Sequence, residues 1–267
     1  MMNDSKYDLI GKGYNTTRKA DPYLASRLFH FLKPTGEKPI LDIGCGTGNY
    51  TVALQTHGLK LWGIDPSHRM LNEAKRRSDA IKWMPGDAEN IPTDDNFFGG
   101  IVATLTIHHW PDLPKAFSEL SRVLDEDGKI VVFTSTPEQM RGYWLNHYFP
   151  KMLQTSIEQM PSMEILGDAL STAGLTIIEH EKYFVSDDLQ DQFLYVGKNN
   201  PSLYFDEAIR SGISSFAALS NADEVSAALE MLKDDITSRH IETVKKKYEN
   251  DLGDYLFLVI NKTQHLK

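Results

Sequence analysis

A single cysteine, Cys45, stands among the 267 residues. It permits no internal disulfide and no multi-cysteine metal site, and it fits a reducing compartment. Long apolar runs are missing as well. The longest aliphatic or aromatic stretches, such as Leu256 to Ile260, are far shorter than a bilayer-spanning helix requires. The opening MMNDSKYDLI has no apolar core of signal-peptide length. These absences predict a cytoplasmic protein with no membrane partner. Basic residues are outnumbered by acidic ones, 28 to 37, for a formal charge of -9. Such a balance repels a phosphate backbone and argues against nucleic acid as a partner. Neither repeats nor low-complexity tracts occur, which with 41% hydrophobic and 24% charged residues excludes collagen, coiled coil and wholesale disorder. The length suits one α/β domain with an elaboration; a homodimer is compatible with all of this.

What is present is an alternation of short apolar runs with helical patterns. Ile40 to Ile43 is an apolar run ending in glycines, followed by a helical pattern from Tyr50 to Gln55. Leu59 to Ile64 is closed by Asp65-Pro66, and Ser67 can cap a helix through Arg77. Ile81 to Met84, Gly100 to Thr106 and Lys129 to Thr134 continue the series, with Asp112 capping a helix between the last two. This pattern predicts right-handed βαβ crossovers and a doubly wound, mostly parallel sheet covered on both faces. Leu175 to Val185 and Asp254 to Asn261 bring the expected strands to seven. Between them residues 186–252 read as a helical insertion, with Val225, Leu229, Leu232 and Ile236 at helical spacing and Asn221 with Glu224 resembling a capping box. The expected organisation is an N-terminal lid over 1–38, a core over 39–185 and 253–267, and a substrate cap over 186–252.

The segment richest in chemistry is Asp42-Ile43-Gly44-Cys45-Gly46-Thr47-Gly48, between the first strand and its helix. Glycines there allow a sharp turn and close approach of a ligand, and the helix start offers unpaired amides. Asp65 follows Gly44 by 21 residues, at the end of the second strand, where a carboxylate can accept both hydroxyl protons of a ribose. A dinucleotide site shares this pair but needs a small residue at 49, where Asn49 stands.

LDIGCGTG, WGIDPS, GDAENIP and TLTIHHW occur in that order. Together they resemble the class I methyltransferases that use S-adenosylmethionine, in particular the small-molecule enzymes related to the quinone pathway. The resemblance implies a Rossmann-like fold, S-adenosylmethionine as cofactor and S-adenosylhomocysteine as product. It also implies that the methionine part lies over Gly44, Cys45, Gly46 and Gly48 with Asp42 near its ammonium, and that Asp65 and Pro66 flank the ribose. Asp87 and Ala88 would meet the adenine, and Leu105 and Thr106 the sulfonium end.

A methyl on a sulfonium is already activated, so such a protein mainly positions a nucleophile and excludes water. His108 and His109 are candidates for a catalytic base; the same pair also suits a loop-shaping role. A small organic acceptor is expected, contacted by His109, by Tyr14 from the tyrosines 7, 14 and 23 of the N-terminal segment, and by Trp144 and Tyr148 from the aromatic cluster 143–149. That cluster equally suits a core that docks the insertion. A non-catalytic protein retaining S-adenosylmethionine or its demethylated product fits the glycine and acid motifs too; the post-strand loop and aromatics favour the enzyme.

Overall fold

The computed structural model of the chain describes residues 17–34, 36–219 and 222–263. Its seven strands are β1 (Ile40–Ile43), β2 (Leu61–Asp65), β3 (Lys82–Pro85), β4 (Phe98–Thr104), β5 (Leu124–Thr134), β6 (Leu175–Tyr183) and β7 (Tyr255–Lys262). They form one sheet in the order β3-β2-β1-β4-β5-β7-β6. β1 to β5 pair in parallel, while β7 runs antiparallel to both β5 and β6. The expected seven-stranded, doubly wound, mostly parallel sheet is therefore the fold. The chain leaves β1 toward β2 and β3, then crosses back to β4, so the strand order reverses between β1 and β4. In sheets of this kind ligands bind outside the strand ends at that reversal.

Both faces of the sheet are buried. Alternate residues of β5 serve opposite cores: Val131 and Phe133 pack on one face, Ile130 and Val132 on the other. The second face is covered by helices Leu113–Val123 and Met163–Thr172 through Phe117, Leu120, Leu166 and Leu170. Local chemistry starts the crossover helices where the sequence predicts. The Ser67 side chain accepts from the Met70 amide, and Asp112 from the Lys115 amide. The Asn221 half of the expected capping box lies outside the described residues; Glu224 accepts from the amides of Lys151 and Met152.

Two expectations about organisation need correction. Helix Pro22–Leu32, within the supposed lid, packs on the first face of the sheet. Leu24, Leu28, Phe31 and Leu32 are buried there because they recur on one helical face. Among the described residues of that segment, Arg18 alone lines the cavity described below; the residues before 17, Tyr14 included, lie outside the described residues. The aromatics at 143–149 are core. Tyr143, Trp144, Tyr148 and Phe149 are buried against Tyr204, Phe216 and Leu232, seating the helices of 186–252 on the sheet. The insertion itself carries, among the described residues, helices Glu207–Ser211, Ser214–Ala218, Ala222–Thr237 and Ile241–Lys247 after a 3-10 turn at Pro201–Phe205.

Leu232 is fully buried at that junction, while its neighbour Met231 is 40% exposed. Leu232→Ala is expected to cost about 2–5 kcal/mol through lost transfer energy and a residual cavity. Met231→Ala should stay within about 0.5 kcal/mol of the parent. Urea unfolding of the two variants beside the parent checks the contrast; equal midpoints would mean that the insertion is not part of one cooperative core.

Candidate active site

A turn that no ordinary L-residue favours follows β1. Gly44, Gly46 and Gly48 all have positive φ, at 70°, 53° and 76°, a region open to glycine without a Cβ penalty. Each glycine also answers to its surroundings. A Cβ on Gly44 would lie 2.1 Å from the Thr106 hydroxyl, so the loop after β1 and the loop after β4 are in contact. A Cβ on Gly48 would lie 2.5 Å from the Trp83 ring. Around Gly46, its chain neighbours apart, no atom of the described residues stands within 4 Å of that position. The space over Gly46 is open.

Two acids at neighbouring strand ends frame this turn. The Asp65 carboxylate accepts from the Gly46 amide at 2.9 Å and from the Ser67 amide at 2.8 Å. Asp42, on β1, is buried and accepts from the Thr51 hydroxyl at 2.5 Å. Burial, with the Asp65 charge adding to it against the Thr51 bond, pushes the Asp42 carboxyl up to about 7. Burial and the same two carboxylates push the Cys45 thiol up as well, so it is a neutral group and no nucleophile. After β4, Leu105 takes a positive φ of 52°, held by its amide donating to Phe133 O at 2.8 Å. For a leucine this is strain of about 1–3 kcal/mol, of the kind found at ligand sites. His108 and His109 follow in a 3-10 turn, rings 3.9 Å apart, and Trp110 packs edge-on against Phe117.

These residues open into one cavity, partly open to solvent. Asp42, Gly44, Cys45, Gly46, Asp65, Leu105, Thr106, His108 and His109 line it. Gly48, Pro66, Asp87, Ala88, Trp144 and Tyr148 do not. Gly48 is glycine because Trp83 fills its side-chain space. Pro66 is exposed and Asp87 caps an exposed turn, accepting from the Glu89 amide, while Ala88 is buried in the core of the second face. Trp144 spends its indole N–H on Lys198 O and Tyr148 its hydroxyl on Asp235.

Sequence reasoning missed several lining residues. Thr47 and Asn49 stand inside the glycine motif and at the helix start directly after it, so their place was readable. Arg18, Ser135, Met160, Tyr195 and Ser215 come from distant segments with no local signature. Arg18 pairs with Asp191 at 2.5 Å, and the Tyr50 hydroxyl donates to the same carboxylate at 3.1 Å. This contact joins the N-terminal segment to the insertion beside the cavity. Buried side-chain oxygens of Thr47, Asn49 and Thr104 on the cavity lining have no hydrogen-bond partner within the described residues. Unpaired buried polar atoms of this sort suit a polar ligand.

The chain is similar to known proteins in the same terms. A family model described as "Methyltransferase domain" matches residues 41–132. Demethylmenaquinone methyltransferase of Clavibacter sepedonicus is 29% identical over 169 residues, covering 55% of this chain and 69% of that one. The ubiquinone/menaquinone biosynthesis C-methyltransferase UbiE of Campylobacter jejuni is 29% identical over 171 residues, 54% of this chain and 73% of that one. Among solved structures, a putative methyltransferase from an antibiotic biosynthesis pathway of Anabaena variabilis superposes with a TM-score of 0.78 at 30% identity, over 92% of this chain and 98% of that one.

The raised Asp42 carboxyl has a sign that can be checked. Above about pH 4 the folded chain holds a proton there that the unfolded chain, at the ordinary carboxyl value of 3.8, has released. The ionisation therefore destabilises the fold as pH rises from about 4 to about 7. Asp42→Asn should flatten the fall in stability across that window, read from urea unfolding at several pH values. An unchanged slope would mean that Asp42 is ionised throughout.

Proposed function

The chain belongs to the class I S-adenosylmethionine-dependent methyltransferases, and from that premise we propose that its cavity transfers the methyl group to a small organic acceptor held between the motif loops and the insertion. One observation carries this reading. A single cavity runs from Asp42 and Gly46 of the motif loops to Ser215 and Leu219 of the insertion. Its lining joins the motif residues at one end to side chains of the insertion at the other, so a cofactor on the motif loops and an acceptor against the insertion would share one space.

The residues present suit the cofactor. The open space over Gly46 admits its methionine part, and the unpaired Thr47, Asn49 and Thr104 oxygens offer it partners. Asp65 lies at the β2 end with its carboxylate on the lining, positioned for the ribose hydroxyls. Asp87, two residues past β3 and beside the Asp65 end of the register, marks the side toward which the adenine extends. A cation next to Asp42 would favour its ionised form, which suits the ammonium group of the methionine part.

Held by the glycine turn and Asp65, the cofactor would supply an activated, sulfonium-bound methyl for an acceptor nucleophile. The chain's own work is placement. The strained Leu105 and the Thr106 contact to Gly44 fix the β4 loop against the glycine turn, and the insertion covers the reacting groups from water. His108 and His109 stand on the lining where a proton leaving the acceptor can be taken up. For acceptors that arrive already as nucleophiles, placement alone suffices.

Gly46→Val is the direct test. A Cβ there meets no atom of the described residues beyond its chain neighbours, so the variant should fold, at some strain cost from the positive φ. It should lose S-adenosylhomocysteine binding by about a hundredfold or more, because the valine takes the ligand's space. Calorimetric titration of a folded Gly46→Val protein that still binds at parental affinity would place the cofactor elsewhere.

A further inference from the structure

The glycine turn is tied down by two acids. Asp65 holds its middle, through the Gly46 amide. Asp42 ties the start of the turn to the helix that follows it: the hydroxyl of Thr51, third residue of helix Asn49–Gln55, donates to Asp42 Oδ2 at 2.5 Å. A threonine inside a helix commonly returns its hydroxyl to a carbonyl one turn back. Thr155, Thr172 and Thr237 do so here, to Lys151, Asp168 and Lys233. Thr51 instead reaches across the turn to β1.

The two residues differ in what they face. Thr51 is fully buried and does not line the cavity, whereas Asp42 does. Among the described residues the Thr51 hydroxyl is the one hydrogen-bond donor to the Asp42 side chain. One carboxyl oxygen is thereby anchored to the helix, and the other has no protein partner.

Nothing else around Asp42 stabilises a negative charge there. In the sheet it lies between Gly63 of β2 and Val102 of β4, neither of which titrates. The Asp65 carboxyl at the end of β2 opposes a second charge beside it. In the turn the Cys45 thiol is pushed up and stays neutral, and so is the Tyr50 hydroxyl on the helix. The other charged or basic groups on the lining are His108, His109 and the Arg18–Asp191 pair.

We propose that Thr51 is a positioning residue for the cofactor: its hydroxyl holds the Asp42 carboxylate in place to receive the ammonium of the methionine part. This rests on the methyltransferase reading above and adds to it a residue that touches no ligand yet sets how strongly the amino-acid end is held. Without the hydroxyl, a buried carboxylate oxygen loses its donor, and a charge-assisted bond of this kind is costly to lose. The neutral carboxyl then becomes the cheaper state, and a neutral carboxyl gives up its attraction for an ammonium.

The test uses the full chain and two ligands, S-adenosylhomocysteine and 5′-methylthioadenosine, which keeps the nucleoside and the sulfur but lacks the amino-acid part. In the parent, calorimetry should show S-adenosylhomocysteine affinity rising with pH and levelling above about 7, as Asp42 ionises. Thr51→Val should weaken S-adenosylhomocysteine about tenfold or more at about pH 7.5. It should also move the levelling upward by about one pH unit, because the charged form of Asp42 has lost a partner. Histidines and other groups common to both proteins cancel in this comparison. Affinity for 5′-methylthioadenosine should stay within about twofold of the parent's at every pH. Thr51→Ser, which restores the hydroxyl, should bring both S-adenosylhomocysteine readouts back toward the parent. If valine packs badly, Thr51→Ala removes the same hydroxyl with less volume and carries the same expectations. Equal losses for the two ligands would make Thr51 a structural tie of the turn and overturn the proposal. Unchanged S-adenosylhomocysteine affinity, an unshifted pH profile, or a serine variant as weak as the valine one overturns it too. A parent that binds neither ligand is a separate result and removes the cofactor reading itself.

Discussion

The Asp65 carboxylate accepts from the Gly46 amide on one side and the Ser67 amide on the other, and much of the site depends on that double acceptance. It clamps the turn after β1 to the end of β2 and so holds three successive positive-φ glycines in one shape. With that shape fixed, Gly44 can take the Thr106 hydroxyl against its bare Cα, and the β4 loop closes onto the β1 loop. The strand reversal between β1 and β4 supplies the crevice. Asp65 gives the crevice its floor, because a charge-assisted bond to a backbone amide is roughly twice as strong as a neutral one.

The roof is held by a different kind of contact. Arg18, Asp191 and Tyr50 bring the N-terminal segment, the insertion and the helix after the glycine turn to one point, and the Gln190 amide donates to Asp21 beside it. Lys198 and Asp254 make the second tie, where the insertion meets the start of β7. Buried ion pairs of this sort add little net stability against an apolar alternative, yet losing one partner strands the other charge and is costly. Their effect here is geometric: they bracket 192–197 and fix the wall that carries Phe193, Leu194 and Tyr195.

How much of this was legible in the sequence follows from how local each signal is. The strands, the glycine turn and the caps at Ser67 and Asp112 are read from neighbours in the chain, and the fold repeats them with shifts of one or two residues. β5 begins at Leu124, earlier than Lys129, because its start pairs with Phe98 across an irregular register. Gly48 looked like its companions, since a motif shows that a glycine is needed without showing whether a ligand or Trp83 needs it. Trp144 and Tyr148 misled for a related reason: an aromatic cluster buries the same surface in a core as in a pocket. The far wall of the cavity was not legible at all. Ser135, Met160, Tyr195 and Ser215 meet only after the insertion has docked, and no spacing in the chain records that meeting.

Electrostatics then ties the motif end to its ligand. Asp42 and Asp65 sit on adjacent strands, and the first resists ionisation because it is buried and near the second. The ligand-free fold thus carries an unfavourable charge at neutral pH that its own residues leave only partly compensated, the Thr51 hydroxyl being the one side-chain donor to Asp42 that lowers its carboxyl. A ligand bringing positive charge to this spot gains twice, from direct attraction and from relief of a penalty already present in the fold. The unpaired Thr47, Asn49 and Thr104 oxygens work in the same direction. Destabilising features are thus gathered at one end of one cavity. A ligand with positive charge is drawn to the motif end by the same two carboxylates that resist each other there.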